Sequence, residues 1–340
     1  MLQAPAEATA TTAAQLFSKA QDMFLTVASP LSLPQLLSAF VLALAWIFVR
    51  RRARGKGLRV QPFLKTFFAS RVFLSRSAKL DYQLAIFNLF IAGVLFGWAV
   101  LSHHTISIWT HDALGALFGA RPASGQPGLA IAVLTTAALF LAYEFAYWLD
   151  HYLAHKTPFL WEFHKVHHQA EALTPITNFR VHPVDSLVFY NILALCTGLT
   201  QGLCSHLFGT APITLSGENI FFLVFAFTTL HLQHSHVWIA FRGVWGRIFL
   251  SPAHHQIHHS RNPIHFDRNF GSSLAVFDWL FGTLHVPSAS RDAVAFGVDG
   301  EGADPHSLAG ALVAPFARAA ARFQDNDRVQ SASADRAPVQ

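Results

Sequence analysis

Five apolar runs, at roughly residues 33–49, 83–101, 128–149, 187–207 and 217–233, constrain this chain more than any other feature. A bilayer core takes about 17–25 helical residues to cross. The expected fold is therefore all-α, a polytopic membrane helical bundle. Composition agrees, with 52% apolar and only 13% charged residues in 340, against about 25% charged in ordinary soluble domains.

The net charge is +5, but the basic residues crowd beside the apolar runs, as in Arg50 to Lys56. They read as topology and headgroup charges, and no nucleic-acid partner is expected. Arg50–Lys56 and Lys65, Arg71, Arg76 and Lys79 flank the first two runs, which places those flanks in the cytoplasm. The third run then returns inward, and the fourth and fifth form a hairpin out and back. The expected location is a multi-pass integral membrane protein of a bacterial inner membrane. No cleavable signal peptide is expected, since the first 30 residues lack a basic stretch followed by an apolar one. Cys196 and Cys204 lie within an apolar run and read as inert thiols.

Fifteen of the twenty histidines fall between His151 and His265, and they are spaced like metal ligands. His151 and His155 form H-x3-H. His164, His167 and His168 form H-x2-HH, and so do His255, His258 and His259. His234 and His236 lie between. Residues three and four apart share a helix face, so each cluster can direct two or three nitrogens to one point. On the topology above every cluster reaches the same, cytoplasmic surface. Ten candidate ligands exceed the four to six or so that one ion uses, so two metals are expected, of the iron, zinc or copper type. His182, His231, His254 and His265 are intermediate candidates. His103, His104, His111, His206, His285 and His306 read as interfacial side chains. Two divalent ions held by neutral rings need nearby anions, for which Asp150, Glu162, Asp185, Asp267 and Asp278 are candidates.

At these residues the chain resembles the fatty acid hydroxylase/sterol desaturase superfamily of integral-membrane di-iron enzymes. The matching stretches are EFAYWLDHYLAHKTPFLWEFHKVHHQAEALTPITNFRVHP, HLQHSHVWIAF and SPAHHQIHHSRNPIHFDRNFGSSLAVFDWLFGTL, within residues 144–284. The resemblance implies a cytoplasmic helical cap carrying a di-metal histidine site over the bundle. It implies two iron ions, O2 as co-substrate, and hydroxylation or desaturation of a lipid: sterol, fatty acyl, alkyl or isoprenoid. Ligand roles carry over to His151, His155, His164, His167, His168, His255, His258 and His259. His234 and His236 occupy the family's additional histidine region, where Ala240 departs from the H-x3-H of some members. Electrons are expected from an external reductase or ferredoxin-like donor, because the chain has no dinucleotide fingerprint and no cysteine cluster. A zinc-dependent hydrolase would need a motif such as H-E-x-x-H, which does not occur. A metal-binding or transport protein would place its ligands near the midplane.

The expected organisation is an N-terminal segment at 1–32 containing an interfacial helix, helices and loops at 33–127, a catalytic domain at 128–287, and a partly disordered tail at 288–340. Within the tail, 315–323 is expected to be a short helix begun by Pro315. A lipid tail is expected to enter between the third run and the hairpin, along Phe145, Tyr147, Trp148, Phe179 and Trp238. The basic stretches Arg50–Arg59 and Arg242–Arg261 are candidates for docking an acidic electron carrier.

Overall fold

The computed structural model describes residues 18, 21–27, 29, 31–57, 61, 64–65, 68–119, 128–288, 294–298 and 305–334, with side chains to residue 322. The expected disorder of residues 1–12 lies outside these, as do residues 16, 17, 19 and 20 of the proposed N-terminal helix, of which 21–25 are helical. The regular secondary structure of the described residues is helical apart from a two-stranded ribbon, β1 (Thr214–Leu215) against β2 (Glu218–Asn219).

Four helical stretches are long and apolar enough to cross a membrane: Leu33–Arg52, Arg76–Phe118, Leu129–Lys156 and Pro183–Phe208. The first is α1. The second is built from α2 (Arg76–Phe87), a π turn at Asn88–Ala92, a short helix and 3-10 turn to Ala99, and then α3 (His103–Phe118). The third is α4 (Leu129–Lys156) and the fourth is α6 (Pro183–Phe208). The fifth apolar run does not form a full span. The ribbon takes its first residues, and the helical stretch that follows, Ile220–Gln233, is too short to cross by itself. It consists of α7 (Ile220–Phe225), a π turn at Ala226–Leu230 and a final turn at His231–Gln233. Ile213 N and Asn219 Nδ2 bond to Thr136 of α4, on Oγ1 and on its carbonyl. The return toward the histidines therefore starts well along α4 and needs fewer turns.

The second stretch runs farther than the apolar pattern suggested. Leu101 N bonds to Asn191 Oδ1, and His103 Nδ1 lies 2.9 Å from Thr197 Oγ1. Farther along, Thr110 packs at Gly202. The helices α3 and α6 thus run side by side in the same direction. Contact is close because α6 presents glycine there: a Cβ on Gly202 would stand 2.5 Å from Thr110 Cβ and 2.6 Å from the Ser107 carbonyl.

Pro158 starts α5 (Pro158–His168) immediately after α4, fixing the first turn where a missing N–H costs nothing. The remaining cap is short: α8 (Gly243–Ile248), α9 (Pro252–His258), α10 (Val276–Leu280) and a long α11 (Leu308–Ala334). The expected short helix at 315–323 is instead one continuous helix in which Pro315 is internal. It is held against α5 by Glu162, whose buried carboxylate meets Lys165 Nζ at 2.6 Å, Arg318 Nε at 2.9 Å and Arg322 Nε at 3.1 Å. Glu162 therefore ties the cap together and does not face the histidines.

Candidate metal centre

Nine of the ten predicted ligands converge, in two groups. His151, His155, His164, His168 and His258 form one; His167, His234, His255 and His259 form the other. Within each, the ligand atoms lie within 4.8 Å of one another. The tenth, His236, stands outside both groups. The H-x2-HH boxes do not each serve one point, as their spacing suggested. His164 and His168, one full turn apart, go to the first group, while His167 between them goes to the second. In the other box His255 and His259 share the second group and His258 joins the first. Each box therefore bridges both groups, and the His168 and His259 rings stack at 4.6 Å.

The second nitrogen of several rings is tied to the protein. His151 Nδ1 donates to the Phe270 carbonyl at 2.8 Å, His258 Nδ1 to the Arg268 carbonyl at 2.8 Å, and His167 Nδ1 to the Arg180 carbonyl at 3.2 Å. His164 Nδ1 lies 3.0 Å from Asp185 Oδ2. A carbonyl can only accept, so the three rings facing carbonyls have N–H at Nδ1 and a bare lone pair at Nε2. Burial first, then the neighbouring histidines, holds His167, His168, His255 and His259 well below the usual imidazole range, and His234 and His258 down to about 3. The rings of the cap are thus neutral and able to ligate.

This donor set fits two metal ions. The Nε2 atoms approach one another at 3.1 Å (His155 and His168), 3.2 Å (His164 and His168) and 3.1 Å (His168 and His258). In the second group the separations are 3.2 Å (His167 and His234), 3.1 Å (His234 and His259), 2.9 Å (His234 and His255) and 3.1 Å (His255 and His259). Around an ion with bonds of about 2.1 Å, adjacent nitrogens stand roughly 3.0–3.4 Å apart. Bare lone pairs at that spacing repel unless a cation lies between them. His151 Nε2, buried with no hydrogen-bond partner, marks the same need.

The loop 267–271 delivers two of the positioning carbonyls. Asp267 and Asn269 have φ of 57° and 60°, a left-handed conformation that Asp and Asn tolerate best among non-glycine residues. Asn269 Nδ2 donates to the His254 and His285 carbonyls, and its Oδ1 accepts from His285 N. Asp278 accepts from Phe270 N, Gly271 N and Thr283 Oγ1. From α4, Glu144 accepts from Ser273 N, Ser273 Oγ and Leu274 N. Of the proposed anions, Asp185 touches a ligand, Asp267 lies 3.6 Å from His155 Nδ1 and 2.5 Å from Lys156 Nζ, and Asp278 acts through the Phe270 carbonyl. No hydrogen bond from Asp150 to a ligand ring is present among the described residues.

The intermediate histidines have structural places. His182 caps α6, accepting from Val184 N, with Nε2 at the Leu312 carbonyl. His254 joins Ser251 in a capping box and meets the Gly246 carbonyl. His265 packs edge-on to His285. His231 contacts Gln35 of α1. Sequence reasoning passed over Glu144, Asn269 and Arg180. The turn chemistry around Asp267 and Asn269 was the one available signal. Arg180, fully buried, pairs with Asp81 at 2.9 Å and donates to the Val166 carbonyl, fixing the segment whose carbonyl holds His167.

One cavity meets the centre, and a second lies beyond Tyr147. The first, of about 440 Å³, opens directly on His155, His168, His258 and His259, beside Trp161 and Arg261. The other, of about 760 Å³, lies among α4, α6 and the 217–231 segment, walled by Tyr143, Tyr147, Phe179, Phe189, Phe222 and His231. The Tyr147 ring stands edge-on to His151, 5.6 Å between centroids. Of the aromatics expected along the lipid approach, Tyr147 and Phe179 line this cavity. Phe145 and Trp148 pack instead on Phe277 and Phe281, and Trp238 is buried with Ala253 and Ile257.

Residues 136–283 match the model of the fatty acid hydroxylase family. The chain is similar to an alkylglycerol monooxygenase of Caenorhabditis elegans, 28% identical over 143 residues, 42% of this chain and 25% of that protein. It is similar to the ornithine lipid hydroxylase OlsE of Rhizobium tropici, 31% identical over 42% of this chain and 40% of that one. It is also similar to human cholesterol 25-hydroxylase, 28% identical over 44% and 50%. The chain thus spans between a quarter and a half of these relatives. No solved structure matches significantly.

Proposed function

We propose that this chain, whose residues 136–283 match the fatty acid hydroxylase family, is a membrane-bound di-iron oxygenase that hydroxylates or desaturates a lipid. The observation that carries this reading is the pair of histidine groups set beside an apolar cavity between candidate spans. His151, His155, His164, His168 and His258 would hold one ion, and His167, His234, His255 and His259 the other. The bound pair supplies O2 activation. For hydroxylation the balance is R–H + O2 + 2e⁻ + 2H⁺ → R–OH + H2O; desaturation removes two hydrogens and gives two waters.

The chain's own residues orient and exclude. The Phe270, Arg268 and Arg180 carbonyls and Asp185 hold the rings so that each lone pair faces inward. Tyr143, Tyr147 and Phe189 present a largely aromatic wall to a lipid chain. The smaller cavity leaves the far side of the centre open beside Arg261, and the Trp161 ring lies 4.9 Å from His155 and 5.3 Å from His168. That face suits an external one-electron carrier. The Lys and Arg flanks of the first two spans support a site on the cytoplasmic side of the membrane.

Purified protein is expected to contain close to two irons and to take up O2 when given reductant and lipid. Cells expressing it should contain a lipid shifted by one oxygen or by two hydrogens, absent in an equally expressed His164→Ala variant. Tightly held zinc with no oxygen uptake would overturn the reading.

A further inference from the structure

The segment 270–281 belongs to the cap, yet it lies alongside the apolar part of α4. Ser273 N and Leu274 N donate to Glu144. Phe277 packs on Phe145 with ring centroids 5.4 Å apart, and Phe281 stacks on Trp148 at 4.3 Å. Residues 144–148 close the third apolar run, which extends to about residue 149. Phe145 precedes the ligand His151 by six residues, about 9 Å along the axis at 1.5 Å per residue. The helix α10 is thus set at the level where the apolar core of the bilayer ends, on the side of the histidines.

The face of α4 that α10 covers continues without cover. Leu134 and Leu141 share the face of Phe145 and Trp148 at helical spacing, and both are exposed. On a spanning helix that face meets lipid. Where α10 takes over, it presents Trp279, 62% exposed, Leu280, 68% exposed, and Phe281. The helix α8 adjoins it: Leu250 N donates to the Ser273 carbonyl and Ala275 N to the Ile248 carbonyl. There Trp245 is 63% exposed and stacks with exposed Phe249, and Val244 beside it is bare. A cluster of large apolar side chains of this kind marks a protein or lipid contact.

Two observations select lipid. The first is that the irregular backbone of the segment is satisfied from within. Phe270 N and Gly271 N donate to Asp278, Ser273 N and Leu274 N to Glu144, and Thr283 N to the Asp278 carbonyl. Non-helical chain at membrane depth persists only where protein supplies such partners. A carboxylate inside an apolar run is costly, and Glu144 serves that need. The second is charge. Arg242 and Arg247, both exposed, stand on either side of Trp245 in the chain. Tryptophan with basic neighbours suits the boundary of acyl chains and anionic headgroups.

We propose that α8 and α10 form a foot of the cap that inserts into the histidine-side leaflet of the bilayer, with Trp245, Trp279 and Leu280 among the acyl chains just below the headgroups. The partner is the lipid surface itself. The foot continues the lipid-facing wall of α4 and holds the histidine centre at the membrane boundary. Arg242 and Arg247 then face headgroups and not a soluble electron carrier. The proposal rests on α4 as a span and is independent of the reaction.

The test is spin labelling of the full chain in nanodiscs of phosphatidylcholine and phosphatidylglycerol. Nitroxides are attached one at a time to Trp245→Cys, Leu280→Cys, Leu141→Cys and Lys56→Cys, in a Cys196→Ser/Cys204→Ser background. All four positions are exposed, so each label is carried without disturbing packing. Collisions with O2, which concentrates in lipid, are compared with those of a water-soluble nickel chelate. Leu141 reports the lipid value and Lys56 the aqueous one. At 245 and 280 the ratio of O2 to nickel collisions is expected to be several-fold above that at 56. A ratio equal to that at 56 puts the foot in water and overturns the proposal. Low collision rates with both reagents mean that a second copy or another protein covers the face, and overturn it as well. A label at 141 that reads as water removes α4 as a span, and the proposal falls with it.

Discussion

His164 Nδ1 and Asp185 Oδ2 lie 3.0 Å apart, joining the second histidine box on α5 to the first turn of α6. Both are nearly buried. The carboxylate is set where it holds the ring's tautomer, raises the basicity of the ligating nitrogen and offsets part of the metal charge. Asp185→Asn should keep the fold and weaken metal affinity by about 10–100-fold. Competition against a chromophoric chelator measures this directly.

The division of the boxes makes a sharper prediction. His155→Ala removes a ligand from one group only and His255→Ala from the other only. Each should lose about one metal equivalent before the second, while His236→Ala should retain both. Metal-to-protein ratios after gel filtration in dilute chelator decide it. Loss of metal in His236→Ala would place that residue in the ligand set.

The metal-free protein should be acid-sensitive. Burial holds His234 and His258 at about 3 when folded, against about 6.5 unfolded. Above pH 6.5 neither state takes the proton and stability is unaffected. As pH falls below that, the unfolded state binds protons that the folded state refuses, and each ring costs about 1.4 kcal/mol per pH unit until its folded value is reached. Melting temperatures of chelator-treated protein should fall steadily from pH 7 to 5, with the metal-loaded form shifted to lower pH.

Gly202 sets the spacing of α3 and α6. Gly202→Ala puts a methyl 2.5 Å from Thr110 Cβ and 2.6 Å from the backbone carbonyl of Ser107. A backbone atom cannot move aside as a side chain can, so the helices must separate. A loss of about 1–3 kcal/mol is expected, read as a lower melting temperature with metal content kept.

Glu162 carries the docking of α11. Glu162→Ala removes the 2.6 Å carboxylate from Lys165, which is 2% exposed, and breaks the ion pairs that join Arg318 and Arg322 to α5. Breaking a buried pair from one side typically costs about 3–5 kcal/mol. Limited proteolysis should then cut within 308–334 much faster than in wild type.

The sequence determined the membrane-helical class and nine of the histidines that meet, because hydropathy and three- and four-residue spacings are local properties of a helix. It could not determine that His167 parts from His168, or His258 from His259. That division depends on how α4, α5, the His231–His234 turn and α9 cross, which is a packing outcome. Nor did it show the fifth apolar run to be a short return, since the Thr136 bonds that shorten it come from another helix. The carbonyls of Arg180, Arg268 and Phe270 were invisible for a further reason: every residue has a carbonyl, and only the folded chain decides which of them a ring nitrogen meets.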